Sequence, residues 1–317
     1  MMNPRLILGG LKSYLPIPER KYKGTGGTSN AGYSYSVWFR HLYWVSHFLG
    51  KEFHPRTVVE LGPGDSIGTG LSALMSVAEN YVGLDVLEHA SYELNMRVLD
   101  DVLDMVRRRA PLPGDEEFPK TFPRLPSYDF PVHLVRDEEL DRRTSDEYVG
   151  QLRAAVRTMT KPGNPFVQYR SPWTPDAVET GSADYVFSHG ALNDMDHTAA
   201  RDDLSANLDY MIRWLKPGGV MSHQIELSCE GGDMWNHHWV YGPLAWRLIR
   251  GRRPYYKNRV PLSEYKRLFA ARGCPVIGVV PVTKLGYPRE ATASQFRDLP
   301  DEDFSTAAVF LVVVKPK

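Results

Sequence analysis

Cysteine is almost missing: Cys229 and Cys274 are the two in 317 residues. They are too few for a disulfide framework and too far apart for a Cys-x-x-Cys metal or redox pair. Net charge is missing too, since 38 Lys plus Arg balance 38 Asp plus Glu. That balance argues against a polyanion binder held by bulk charge, so no nucleic acid is expected as a partner. No stretch approaches the about 18 consecutive apolar residues that cross a bilayer. The start, Met1 to Gly10, carries one positive charge and too short an apolar run for a secretory leader. The expectation is a cytoplasmic chain in a reducing compartment, with no membrane span.

What is present reads as an ordinary folded protein, 42% hydrophobic and 24% charged, long enough for one elaborated domain or two modest ones. The β-branched run Thr57-Val58-Val59-Glu60-Leu61 stops at Gly62-Pro63-Gly64, as a buried strand does on entering a tight turn. From Gly68, apolar residues at Leu71, Leu74, Met75 and Ala78 predict a helix, and Tyr81 to Asp85 a second strand. Strand, turn, helix and strand in about 30 residues make a βαβ unit, and hence a parallel sheet.

Further strands are predicted at Phe166 to Tyr169, Ala183 to Ser188, Gly219 to His223, Pro275 to Val280 and Ala307 to Val314. Helices are predicted at Arg201 to Leu215 and at Pro261 to Arg272, the latter with Ser263 as N-cap and Gly273 as C-cap. Residues 1–50 read as an N-terminal helical cap whose aromatic run, Tyr33 to Trp44, covers the sheet edge. The Pro-rich stretch from Ala110 to Pro131, with the charged stretch after it, reads as a lid inserted at about 105–165 of a domain spanning 51–317. No internal repeat is evident.

The turn glycines Gly62, Gly64 and Gly68 have the spacing G-x-G-x-x-x-G, which differs from the dinucleotide G-x-G-x-x-G. Glu60 beside the turn would repel a pyrophosphate and attract a ligand carrying ammonium and sulfonium groups. Asp85, at the end of the second strand, is placed to accept hydrogen bonds from both hydroxyls of a ribose. The bland alternative is that the glycines only shape a turn and Asp85 caps a helix.

Val58-Val59-Glu60-Leu61-Gly62-Pro63-Gly64 followed by Gly83-Leu84-Asp85 resembles the first two motifs of class I S-adenosylmethionine-dependent methyltransferases. Ser182 to Ser188 is similar to that family's fourth strand, and Leu215-Lys216-Pro217-Gly218-Gly219 to the turn before its fifth. The resemblance covers about residues 50–317 apart from the insert. It implies an α/β, Rossmann-like, seven-stranded, mostly parallel sheet with helices on both faces and an antiparallel last strand. It also implies S-adenosylmethionine as cofactor, with Glu60, Gly62, Pro63, Gly64, Asp65, Asp85 and Val86 around it. The loop after the fourth strand, His189-Gly190-Ala191-Leu192-Asn193-Asp194, departs from the family's usual Leu-Glu-His. Gly24 to Thr28, Gly62 to Ser66 and Trp235 to Trp239 together look like bacterial methyltransferases of polysaccharide and secondary-metabolite pathways.

Histidines cluster after the fourth and fifth strands. A neutral imidazole, with an ordinary pKa of about 6.5, suits removal of a proton from a hydroxyl acceptor. His223 is the first candidate base, His238 the second and His189 the third, with Glu226 or Asp194 to orient them. Each is as readily a structural histidine. Asp194, Asp196, His197, His223, Glu226, His237 and His238 leave a divalent metal open without a specific ligand spacing, and no metal residue is assigned. From Arg247 to Arg259 six positive charges interleave with two tyrosines, either a phosphate site or a solvated helix end. The reading that results is an O-methyltransferase acting on a polar small molecule, sugar or glycan intermediate, with a homodimer left open. An N-methyltransferase and a non-catalytic nucleoside-binding protein are the alternatives.

Overall fold

The computed structural model describes residues 4–15, 27–164, 166–195, 203–229, 231–253 and 256–317. Seven strands form one sheet: β1 (Thr57–Leu61), β2 (Asn80–Leu84), β3 (Val167–Arg170), β4 (Ala183–His189), β5 (Leu215–Glu226), β6 (Val276–Thr283) and β7 (Thr306–Val314). Their order is β3-β2-β1-β4-β5-β7-β6. The first five run parallel, while β7 is antiparallel to both β5 and β6. The expected α/β, seven-stranded, mostly parallel sheet is therefore present, with each predicted strand within a few residues of its place.

Side chains along a strand alternate between faces, and here the alternation builds two cores. Tyr81, Tyr185, Phe187, Val220, Phe310 and Val312 face one way. They meet α2 (Ala31–Leu49), α3 (Gly68–Leu74), α4 (Tyr92–Arg107) and α6 (Asp146–Arg157). Val59, Leu61, Val186, Met221, Leu311 and Val313 face the other way, onto α7 (Leu204–Trp214) and α9 (Leu262–Ala270). A smaller pair, α1 (Pro4–Lys12) and α8 (Pro243–Arg250), packs together beyond β5.

Two expectations about boundaries change. The aromatic run is helix α2, and it crosses the face of the sheet rather than its edge. Trp38 packs against Tyr185 and Phe187 of β4, and His41 against Phe310 of β7. Nor is the 105–165 stretch a lid standing apart. Its helices α5 (Asp137–Arg143) and α6 precede β3, with Leu140, Val149 and Leu152 in the first core.

The Pro-rich part is tied to α2 by polar side chains that satisfy its backbone carbonyls. Tyr35 Oη donates to Ala110 O at 3.0 Å, Ser36 Oγ to Pro113 O at 2.7 Å, Arg40 Nη1 to Pro123 O at 2.5 Å and Trp44 Nε1 to Arg124 O at 3.0 Å. A segment without regular structure must place its carbonyls somewhere, and these go to one helix. Cap and insert thus form one layer over the sheet.

Capping of α9 also differs from expectation. Pro261 occupies the cap position, while Ser263 N and Oγ both donate to the Asp303 carboxylate, at 2.9 and 2.5 Å. The capping oxygen comes from α10 (Asp301–Ser305), distant in sequence. Gly273 does take the left-handed conformation expected after the helix, with φ +68°.

Candidate active site

The site is built where β1 ends between β2 and β4, the point at which strand order reverses and open sheets leave a crevice. After Leu61 the chain turns sharply, with Gly62 at φ +72° and Gly64 at φ +74°. A side chain would strain either position. Gly62 is exposed, and a Cβ on it would lie 3.0 Å from the Cβ of Ala191 in the loop after β4. Gly68 serves differently. Its Cβ would meet Ser34 Oγ at 2.5 Å and Val98 at 2.7 Å, so this glycine lets α3 approach α2 and α4 and does not face the crevice.

Asp85 follows β2 and is 6% exposed. Its Oδ2 accepts from Gly64 N at 3.1 Å and its Oδ1 from Val86 N at 2.8 Å, so the carboxylate is held against the turn. Burial raises its pKa, against these hydrogen bonds and the nearby His89. Asp65 N donates to Thr28 Oγ1 at 2.9 Å, and Ser66 Oγ bonds Thr28 O, which binds residues 27–33 over the turn. Gly24, Thr25 and Gly26, grouped with Thr28 in the sequence reading, lie outside the described residues.

Glu60 differs from the charged group expected. It lies beneath the turn, 2% exposed, and its Oε2 accepts from Tyr81 Oη at 2.5 Å. Burial pushes its pKa up to about 8, with Asp85 adding to the rise and the Tyr81 and Thr69 hydrogen bonds opposing it. At neutral pH the protein therefore holds Glu60 largely as the neutral acid.

Strand alternation separates the histidines. Ser222 of β5 faces α2, and His223 faces the opposite core. There its Nδ1 pairs with Ser188 Oγ at 2.9 Å, its ring stacks on Phe269 at 5.9 Å, and burial lowers its pKa to about 3. Glu226 does not orient it, being 3.6 Å from Lys257 Nζ. His238 sits beyond β5 with Trp239 and Trp246, its pKa lowered to about 3 by burial and by Arg259 and Lys257. His223 and His238 are thus not brought together with the turn.

His189 is. It ends β4, four positions before Asn193, and its ring meets Tyr33 edge-on at 6.1 Å. Its Nδ1 is 3.2 Å from His41 Nε2, while His41 Nδ1 reaches Ser222 Oγ at 2.7 Å and Tyr185 Oη at 3.1 Å. Burial and the Arg40 charge lower the pKa of His189, and burial with the neighbouring histidines lowers that of His41. Phe118 of the Pro-rich segment packs on Tyr33 at 5.5 Å. Tyr33 was read in the sequence as part of a packing aromatic run, and His41 was not singled out. The available signal was the polar residues Ser34, Ser36, Arg40, His41 and Ser46 set within an aromatic-rich stretch; all five are buried in α2.

His237 makes a separate group, with Tyr241 Oη 3.0 Å from its Nε2 and Asp233 Oδ1 2.9 Å from its Nδ1. Among the described residues no three His, Cys, Asp or Glu side chains converge as metal ligands. Asp196 and His197 lie outside them. No helix among the described residues is long and apolar enough to cross a membrane.

The strand order, the glycine turn and the acidic residue that follows β2 coincide at one place. The fold is Rossmann-like, a seven-stranded mixed sheet with helices. No family model matches the sequence, and no curated protein matches it. Solved structures similar to it include a protein assigned as a methyltransferase, in complex with the Trm112 methyltransferase activator of Haloferax volcanii. It has 16% identity and a TM-score of 0.41, with 92% of this chain and 96% of that one covered. A Listeria monocytogenes protein assigned as an S-adenosylmethionine-dependent methyltransferase has 16% identity and a TM-score of 0.40, over 90% and 99%. Phosphoethanolamine N-methyltransferase 2 of Haemonchus contortus, in complex with S-adenosyl-L-methionine, has 15% identity and a TM-score of 0.39, over 92% and 58%.

Proposed function

We propose that the chain is an S-adenosylmethionine-dependent methyltransferase that methylates a hydroxyl of a polar small molecule, sugar or glycan intermediate. One observation carries the reading: the Asp85 carboxylate is fixed to the Gly62–Gly64 turn at the crevice, with His189 at the end of the adjacent strand. The residues suit the cofactor chemically. Asp85 offers acceptor oxygens for ribose hydroxyls, exposed Gly62 lets a ligand approach the backbone, and Pro63, Asp65 and Val86 shape the same edge. When bound, the cofactor supplies a methyl group on a sulfonium.

The chain's own work is alignment and proton removal. His189 replaces His223 as the proposed base. For its Nε2 to accept a proton, its Nδ1–H must donate to His41 Nε2, and His41 Nδ1–H to Ser222 Oγ. The distances allow that arrangement, which makes His41 a positioning residue. Tyr33 and Phe118 wall the crevice beside it.

The lowered pKa of His189 favours a second reading, transfer to an amine, since a weak base suffices where the acceptor has its own lone pair. Incubation with methyl-labelled donor and pools of sugars, phenols and amines, with and without chelator, separates the two. Labelled ether supports the first and labelled amine the second. Donor binding with no labelled product leaves a nucleoside-binding protein.

A further inference from the structure

Of the six positive charges between Arg247 and Arg259, two lie over rings without lining the cleft beside α8. Arg252 lies over Tyr14 at 5.1 Å, and Arg253 over Tyr256 at 4.0 Å. Arg247, Arg250 and Arg259 instead line that cleft, of about 850 Å³, with Pro243, Trp246 and Phe296. That volume is in the range of small-molecule sites. Pro254 and Tyr255 of this stretch lie outside the described residues.

Arg259 is fixed there. Its guanidinium lies 4.7 Å from the Trp246 ring and 5.1 Å from that of Phe296, and its Nη1 donates to Tyr241 O at 2.6 Å. Stacking on the rings sets the plane of the fork and so the direction of its N–H groups. The cleft's carboxylate, Glu264, accepts from Arg267 Nε and Nη2, both at 2.6 Å. Three arginines against one paired glutamate, in a chain of zero formal charge, concentrate positive potential on one wall while aromatic rings form another.

We propose that this cleft binds a phosphate-bearing small ligand, the arginines meeting the phosphate and Trp246, Pro243 and Phe296 the apolar part. The inference does not rest on methyl transfer. Segment 256–262 connects the two regions: Lys257 pairs with Glu226 at the end of β5, and Asn258 Nδ2 donates to Leu192 O and Met195 O in the loop after β4.

The test is calorimetric titration with inorganic pyrophosphate and with glycerol 3-phosphate, alongside sedimentation with vesicles of phosphatidic acid or phosphatidylcholine. Both soluble probes are expected to bind at up to millimolar concentration. The exposed Arg247→Gln, and separately Arg250→Gln, should weaken binding on the order of tenfold. Added sedimentation with phosphatidic acid alone identifies a lipid headgroup as the source of the phosphate, and its absence a soluble ligand. No binding of either soluble probe, or affinity in both variants equal to that of the unaltered protein, overturns the proposal. S-adenosylhomocysteine titration of the same proteins keeps the two readings apart. Loss of phosphate binding with nucleoside affinity retained shows the variants folded, and phosphate binding without nucleoside binding leaves the cleft standing while the methyl-donor reading falls.

Discussion

His41 Nε2 lies 3.2 Å from His189 Nδ1, joining helix α2 to the end of β4 at the mouth of the crevice. The contact makes the protonation pattern of one imidazole depend on the other. If His189 is the base, His189→Ala should lower kcat on the order of a hundredfold, with donor affinity nearly unchanged. His41→Phe, which keeps an aromatic ring and loses the contacts to His189, Ser222 and Tyr185, should lower kcat about tenfold and shift the pH profile. His41→Gln, which can still accept from His189, should restore part of it. Unchanged turnover in His189→Ala would remove the base from the mechanism and favour the amine reading.

Asp85 is expected to dominate nucleoside affinity, because a buried carboxylate facing ribose hydroxyls makes charge-assisted hydrogen bonds. Asp85→Ala should weaken S-adenosylhomocysteine binding by about 10- to 100-fold in calorimetry. An affinity equal to that of the unaltered protein would show that the ligand, if it binds, does so elsewhere.

Glu60 links stability to pH. Its folded pKa, near 8, is above the ordinary 4.5, so between those values the folded state holds a proton that the unfolded chain has lost. The contribution is complete below 4.5 and is lost as pH rises through about 8. The buried His41, His189, His223 and His238, whose pKa values are lowered, act in the opposite sense below about 6.5. Denaturant unfolding between about pH 6.5 and 8 should therefore show stability falling with pH, and Glu60→Gln should flatten the fall. A Glu60→Gln profile parallel to that of the unaltered protein would assign the dependence to another group.

Arg40 is fully buried and holds the Pro-rich segment through Pro123 O. Arg40→Met removes that donor and should destabilise the protein by about 1–3 kcal/mol. Hydrogen exchange over residues 110–130 should quicken more than exchange in the β4–β5 core. Unchanged protection in that segment would mean the remaining α2 contacts suffice to hold it.

The local devices were legible in the chain because they are written in neighbouring residues. A β-branched run ending in Gly-Pro-Gly specifies a strand and a sharp turn whatever surrounds it, and the ordered recurrence of such units specifies the parallel sheet, the crevice and Asp85 beside it. Period-2 alternation was also present in β5, yet alternation alone does not say which face meets which layer. Only the placement of α2 over one face and α9 over the other turned Ser222 toward His41 and buried His223 against Phe269. Likewise the Pro-rich stretch looked detachable because nothing near it in sequence could satisfy its carbonyls, and the donors came from α2, about 75 residues earlier. Contacts between segments remote in the chain depend on how layers pack, and the linear pattern specifies the layers before it specifies their partners.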